Sequence, residues 1–169
     1  MNYLTLDQLL EQSQQKNEPA FFLILDGIED PHNFGAILRT AEAAGVHGVI
    51  IRKARQVQVT ETVQRVSTGA AEVVPIARVA NIAETITRLK EQEIVVIGVE
   101  IMGTSLYNQV EAKSPVALVI GSEGEGLSRL VKERCSQIAK IPMQGKINSL
   151  NASVAAGVML FEIVRQRKG

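Results

Sequence analysis

Six short apolar runs alternate with stretches of helical periodicity, and this alternation constrains the chain more than any other feature. "FFLIL" (21–25), "HGVII" (47–51), "VVPIARV" (73–79), "IVVIGVE" (94–100), "VALVIG" (116–121) and "QIAKI" (137–141) read as strands, the third weakened by Pro75. Helical patterns run over 33–44, where Gly45 stops them, and over 60–73, 81–92 and 127–135. Asn81 heads the third of these with Glu84 three residues on, as in a capping box. A last helix begins near residue 150, and "TLDQLLEQSQQK" adds a polar-faced helix at the start. Such alternation predicts an α/β fold: a mostly parallel sheet with helices on both faces.

A sheet covered on both faces needs a large apolar inventory. The chain supplies it, with 46% hydrophobic residues in 169, a length that suits one domain. Lys plus Arg number 18 and Asp plus Glu 18, so the chain is not a polycation that grips nucleic acid everywhere; local basic patches remain open to it. A lone cysteine, Cys135, excludes an intrachain disulfide and, with only two histidines, argues against a zinc cluster; no metal is expected. "MNYLTLDQLLEQSQQ" lacks the pattern of a signal peptide, and no apolar run approaches the ~20 residues of a membrane span. A cytoplasmic protein without membrane contact is the expectation.

In parallel sheets, ligands bind beyond the carboxyl ends of the strands. Four polar or glycine-rich loops fall at that edge: "DGIEDPHN", "EIMG", "GSEGEG" and "PMQGKINSLN". "GSEGEG" is not a dinucleotide fingerprint, having neither G-x-G-x-x-G nor the lysine of a phosphate loop. Glu123 and Glu125 would repel a pyrophosphate and tolerate a neutral or cationic ligand. Ser122 does not complete a nucleophile elbow, because position 120 is Ile. His32 reads as a loop-fixing hydrogen bonder. Arg39, six residues after Asn33, stands free on a flank of its helix; with Glu42 at i+3 it would read as a solvated residue but for the polar loops beside it. Basic residues cluster at 52–55, at Arg129, Lys132 and Arg134, and at 165–168. Aromatics make up only 4%, too few for an extended base-stacking platform. One stretch stands out: Asn148, Ser149, Asn151 and Ser153 crowd the start of an apolar helix for which one cap would suffice.

Three segments in order carry a resemblance. "LDGIEDPHNFGAILRTAEAAGVHGVII", "ALVIGSEGEGLSRLVKERC" and "IPMQGKINSLNASVAAGVMLFEI" resemble the three motifs of the SpoU (TrmH-type) RNA ribose 2′-O-methyltransferases of the SPOUT superfamily. The likeness runs from about residue 20 to the end. It is strongest to the bacterial enzymes that methylate a guanosine ribose in 23S ribosomal RNA, with the tRNA-modifying branch further off.

The resemblance implies a SPOUT fold whose C-terminal part, roughly 116–160, threads a deep trefoil knot. It implies S-adenosylmethionine as cofactor, held in the knot loops by Glu100, Gly103, Gly121, Ile141, Met143 and Leu150. It places the polar active-site positions at Asn33, Arg39, Glu123, Ser149 and Asn151. On this view Ser149 and Asn151 position the ribose and Arg39, and another polar residue caps the helix. RNA is the implied partner, together with a second copy of the chain packed through the knot region and the terminal helix. The reading is a single catalytic domain over 1–169. Residues 1–18 form a helical extension in place of the separate N-terminal RNA-binding domain of close relatives. Rival readings are a tRNA methyltransferase, a catalytically idle RNA-binding or assembly protein of the same fold, and an oxidoreductase, which the missing phosphate fingerprint disfavours.

Overall fold

The computed structural model describes residues 2–169. Its strands are β1 (Phe21–Asp26), β2 (Gly48–Arg52), β3 (Ile76–Val79), β4 (Val95–Val99), β5 (Ser105–Leu106), β6 (Val116–Gly121) and β7 (Gln137–Lys140). They form one sheet in the order β3-β2-β1-β6-β4-β7-β5, with every neighbouring pair parallel. The helices are α1 (Leu6–Gln14), α2 (Pro31–Ala44), α3 (Glu61–Val66), α4 (Ala70–Val73), α5 (Ile82–Glu91), α6 (Arg129–Arg134) and α7 (Ala152–Lys168). None of the described helices is long and apolar enough to cross a membrane.

The apolar runs become strands because both of their faces are covered. Alternate residues of β1 serve two cores. Phe21, Leu23 and Leu25 pack with Phe34, Ile37, Met159 and Leu160 under α2 and α7. Phe22 and Ile24 pack with Leu9, Ile86 and Val131 under α1, α5 and α6. All six residues of β1 are buried, as expected of a central parallel strand.

Three local features differ from the sequence reading, each for a visible reason. The 60–73 helix is broken into α3 and α4, with Thr68 (φ 55°) and Gly69 (φ 88°) left-handed between them. Ser67 supports the break: its hydroxyl donates to Gln64 O (3.0 Å) and accepts from Ala71 N (3.2 Å). α2 begins two residues before Asn33, because Asp30 caps it through His32 N (2.7 Å) and Pro31 takes the first helical position. β5 was not anticipated. Its two residues carry no periodic signal, and its pairing with Ala139 and Lys140 of β7 defines it.

Arg167 fastens the end of α7 to the amino edge of the sheet. Its Nε donates to Ala112 O (2.9 Å), Nη1 to Pro19 O (2.8 Å), and Nη2 to Ala20 O (2.9 Å) and Ser114 O (3.0 Å). The guanidinium also lies 5.1 Å from the centre of the Phe21 ring. Burial pulls its pKa below the ordinary value, with Glu18 and Glu111 opposing the shift. A planar fork serves four carbonyls where an ammonium could not. Arg167→Lys is therefore expected to lose about 2 kcal/mol of unfolding free energy, nearly as much as Arg167→Ala. A lower urea midpoint at unchanged slope for both variants would bear this out.

Candidate active site at the carboxyl edge of the sheet

β6 ends at Gly121, where the chain turns back on itself. Gly126 N donates to Ser122 O (2.8 Å), closing the loop. A Cβ on Gly121 would lie 2.3 Å from Gly126 C and O, so the returning arm of the loop packs directly against this glycine. Gly126 has φ +67°, and a Cβ there would meet Glu100 Oε2 at 2.2 Å. These two glycines thus let the loop close tightly and let the Glu100 carboxylate approach it, a different use from cradling a phosphate.

Two carboxylates clip this loop to its neighbours. Glu100, just after β4, accepts from Leu127 N (3.2 Å) and pairs with Lys132 Nζ (3.3 Å). Asp26, the last residue of β1, is buried and accepts from Ser128 N (2.8 Å). Sequence reasoning missed Asp26, although an acidic residue closing an otherwise apolar strand was a usable signal.

A third carboxylate gathers residues distant in sequence. Glu123 Oε1 accepts from Asn151 Nδ2 (2.6 Å), Ala152 N (3.1 Å) and, at longer range, Asn33 Nδ2 (3.4 Å). Asn151 Nδ2 also donates to Asn33 Oδ1 (3.0 Å). The other end of the Asn151 amide caps α7, with Oδ1 accepting from Ser153 N (2.9 Å) and Val154 N (3.3 Å) and from the Ser153 hydroxyl. One side chain is therefore both helix cap and site residue. The family resemblance places the cap on another polar residue; the structure places it on Asn151 itself.

Beside this cluster lies an open cleft. Val99, Ile120, Ile141, Met143 and Leu150 give it apolar walls, and Gly121, Ser122 and Ser149 border it. Of the expected cofactor residues, Glu100, Gly121, Ile141, Met143 and Leu150 line it; Gly103 does not. Gly103 is buried against β7, where a Cβ would stand 2.6 Å from Ala139 C. Of the expected polar set, Glu123 and Ser149 line the cleft, while Asn33 and Asn151 join it through Glu123. Arg39 stands apart, exposed on α2 two turns beyond the first turn that carries Asn33, and makes no hydrogen bond or ion pair among the described residues. Asn148, also on the cleft wall, was not among the expected site residues. Cys135 is no candidate nucleophile, since burial pushes its thiol up to about 12.

The two-ended role of Asn151 separates variants that helix capping alone would rank together. Asp caps as well as Asn, but Asn151→Asp would set a carboxylate against Glu123. The expected result is a loss of about 1–2 kcal/mol at neutral pH. Facing carboxylates raise each other's pKa, so the folded variant takes up protons before the unfolded chain does, and the deficit should shrink as pH falls from about 7 to about 5. Denaturation of parent and variant at both pH values measures it.

Comparison with known proteins places the chain. Residues 20–161 match the SpoU rRNA Methylase family. YacO of Bacillus subtilis strain 168, assigned by name to the TrmH family of tRNA/rRNA methyltransferases, is 51% identical over 165 residues, covering 98% of this chain and 66% of its own. The chain thus spans just under two thirds of that relative's length. The SpoU methyltransferase AviRb from Streptomyces viridochromogenes, crystallised with AdoMet, superposes with a TM-score of 0.86 at 31% identity, over 95% of this chain and 62% of AviRb. An AdoMet-bound rRNA methyltransferase from Sinorhizobium meliloti gives 0.84 at 32%, over 98% and 61%. The α/β architecture and the order of the three motifs agree with these matches, and the chain belongs to the SpoU rRNA methylase family.

Proposed function

We propose that this chain transfers a methyl group from S-adenosylmethionine to a ribose 2′-hydroxyl of RNA, and that the target is a guanosine of ribosomal RNA. The observation that carries the proposal is the adjacency of an apolar cleft and the Glu123–Asn33–Asn151 cluster at one edge of a parallel sheet. Support for the cofactor comes from the AdoMet in two similar proteins, and support for RNA from the relatives' names.

The cleft's chemistry fits this cofactor. Its walls suit an adenine ring and an aliphatic chain, and Glu100 and Glu123 border it where a pyrophosphate would be repelled and a sulfonium tolerated. When bound, the cofactor supplies a methyl group activated on a positively charged sulfur. In this reading Glu123 holds the 122–126 loop against α7, and the two asparagines fix its direction. Ser149, which makes no side-chain hydrogen bond among the described residues, offers its hydroxyl to the ribose. Much of the rate then comes from alignment. A guanidinium makes a poor general base. The role of Arg39 is to anchor an RNA phosphate and stabilise the negative charge developing on the ribose oxygen as the hydroxyl proton leaves to water.

The knot over roughly 116–160 and a homodimer belong to the same proposal. For the knot, the support is the family match together with the insertion of β6 between β1 and β4. For the dimer, it is an apolar strip on α7. Val154 and Phe161 are 50% and 45% exposed with Val158 between them, and Ile147 just ahead of the helix is 78% exposed. A second copy is the occupant proposed for this strip. Light scattering at tens of micromolar should give twice the chain mass; a monomer would count against it.

Cofactor binding and methyl transfer should separate at Arg39. Calorimetric titration should show binding of S-adenosylmethionine and none of NAD. A hundredfold excess over Kd should raise stability by about 2.7 kcal/mol. Arg39→Ala should bind the cofactor like the parent and lose most single-turnover methyl transfer to RNA. Arg39→Lys should fail almost as badly if the planar fork matters. Parent-level transfer by Arg39→Ala would remove Arg39 from the site.

A further inference from the structure

Three basic clusters were candidates for contacting nucleic acid, and the structure treats them differently. In the α6 cluster, Arg129 Nε bonds Glu133 Oε1 (3.3 Å), Lys132 pairs with Glu100 (3.3 Å) and Arg134 Nη1 bonds Thr87 Oγ1 (2.7 Å). In the α7 cluster, Arg165 is forked onto Glu162 through two bonds of 2.9 Å, and Arg167 is consumed by four carbonyls. Each basic residue of these two clusters except the exposed Lys168 thus has a polar partner within the chain. The loop after β2 is different. Lys53 and Arg55 are exposed and make no side-chain hydrogen bond or ion pair among the described residues. Arg52 behind them has only the buried Asp26 nearby, at 4.0 Å, and its own buried Nε lacks a partner.

This loop is also held in a fixed shape beside the site. Gln56 is buried; its Oε1 accepts from Ile28 N (2.9 Å), and Val57 N donates to Ile28 O (3.0 Å). Gln58 Nε2 donates to Arg52 O (3.2 Å) and Gln56 O (2.9 Å), and Lys53 N donates to Val79 O (3.0 Å). The loop is therefore laced to the turn after β1 that leads into α2 and Asn33. Glu29 and Asp30 lie on that turn, and Asp30 is committed to capping α2. β2 lies two strands from β6, roughly 10 Å across the sheet.

We infer that Lys53 and Arg55, backed by Arg52, form the strip on which the RNA backbone next to the target nucleotide rests, so that RNA crosses the carboxyl edge over β1 and β2 to reach the cleft. The inference rests on the reading of the chain as an RNA methyltransferase. It deepens that reading by giving the approach a direction and by excluding the other two clusters as the main contact. The contact is electrostatic and sequence-independent: the strip fixes register, and the cleft selects the nucleotide.

The test is fluorescence anisotropy of a labelled ribosomal RNA hairpin with the full chain, over a salt series from about 50 to about 200 mM. The double variant Lys53→Glu/Arg55→Glu should flatten the slope of log affinity against log salt by about 1.5, the share of two phosphate contacts. Lys53→Gln/Arg55→Gln guards against effects of charge reversal and should flatten it similarly. Arg129→Glu should leave the slope unchanged. Thermal shift by S-adenosylmethionine, unaltered in all three, checks that the fold and the cleft are intact. Parent-like slopes for both double variants, a loss on Arg129→Glu instead, or no RNA binding by the parent at the lowest salt would overturn the strip. The methyltransferase reading fails on a separate readout, the absence of cofactor binding and methyl transfer.

Discussion

One carboxylate joins the parts of this molecule that bear on its chemistry. Glu123 sits in a loop between β6 and α6, yet its partners are Asn33 in the first turn of α2 and Asn151 and Ala152 at the start of α7. Asn33 and Asn151 are 118 residues apart in the chain. The arrangement depends on a tight turn after β6, which Gly121 and Gly126 permit and Glu100 clips.

The sheet was legible in the sequence for a simple physical reason. Central parallel strands are covered on both sides, so β1 and β6 read as unbroken apolar runs, and the turns that bound them are rich in Gly, Pro, Asn and Asp. Where burial is one-sided or the element is short, the signal fades. β5 has two residues and exists by virtue of its pairing with β7. The break between α3 and α4 depends on a serine hydroxyl that bonds locally in both directions, which periodicity does not register.

The site was legible in a different way. The glycines and carboxylates of "GSEGEG" pointed to a special loop and argued against a pyrophosphate, but spacing could not join residues 33, 123 and 151. The resemblance to a family did that. Even so, two details are visible only in the fold. Asn151 is its own helix cap, because the two ends of an amide can serve different partners. Gly103 serves the packing of a loop against β7 and stays out of the cleft. Arg39 lies outside the cleft as well, which is why its proposed work concerns RNA and not the cofactor.

The central claim is chemical: a methyl group moves from S-adenosylmethionine to a ribose oxygen. It is tested most directly by incubating ribosomal RNA with the protein and isotopically methyl-labelled cofactor, digesting to nucleosides, and mapping the label by mass spectrometry. The account predicts label on the ribose of a guanosine at a defined position, and none when Glu123 is replaced by Ala. Label on a base, or RNA that stays unlabelled while the protein is folded and cofactor-bound, would contradict it.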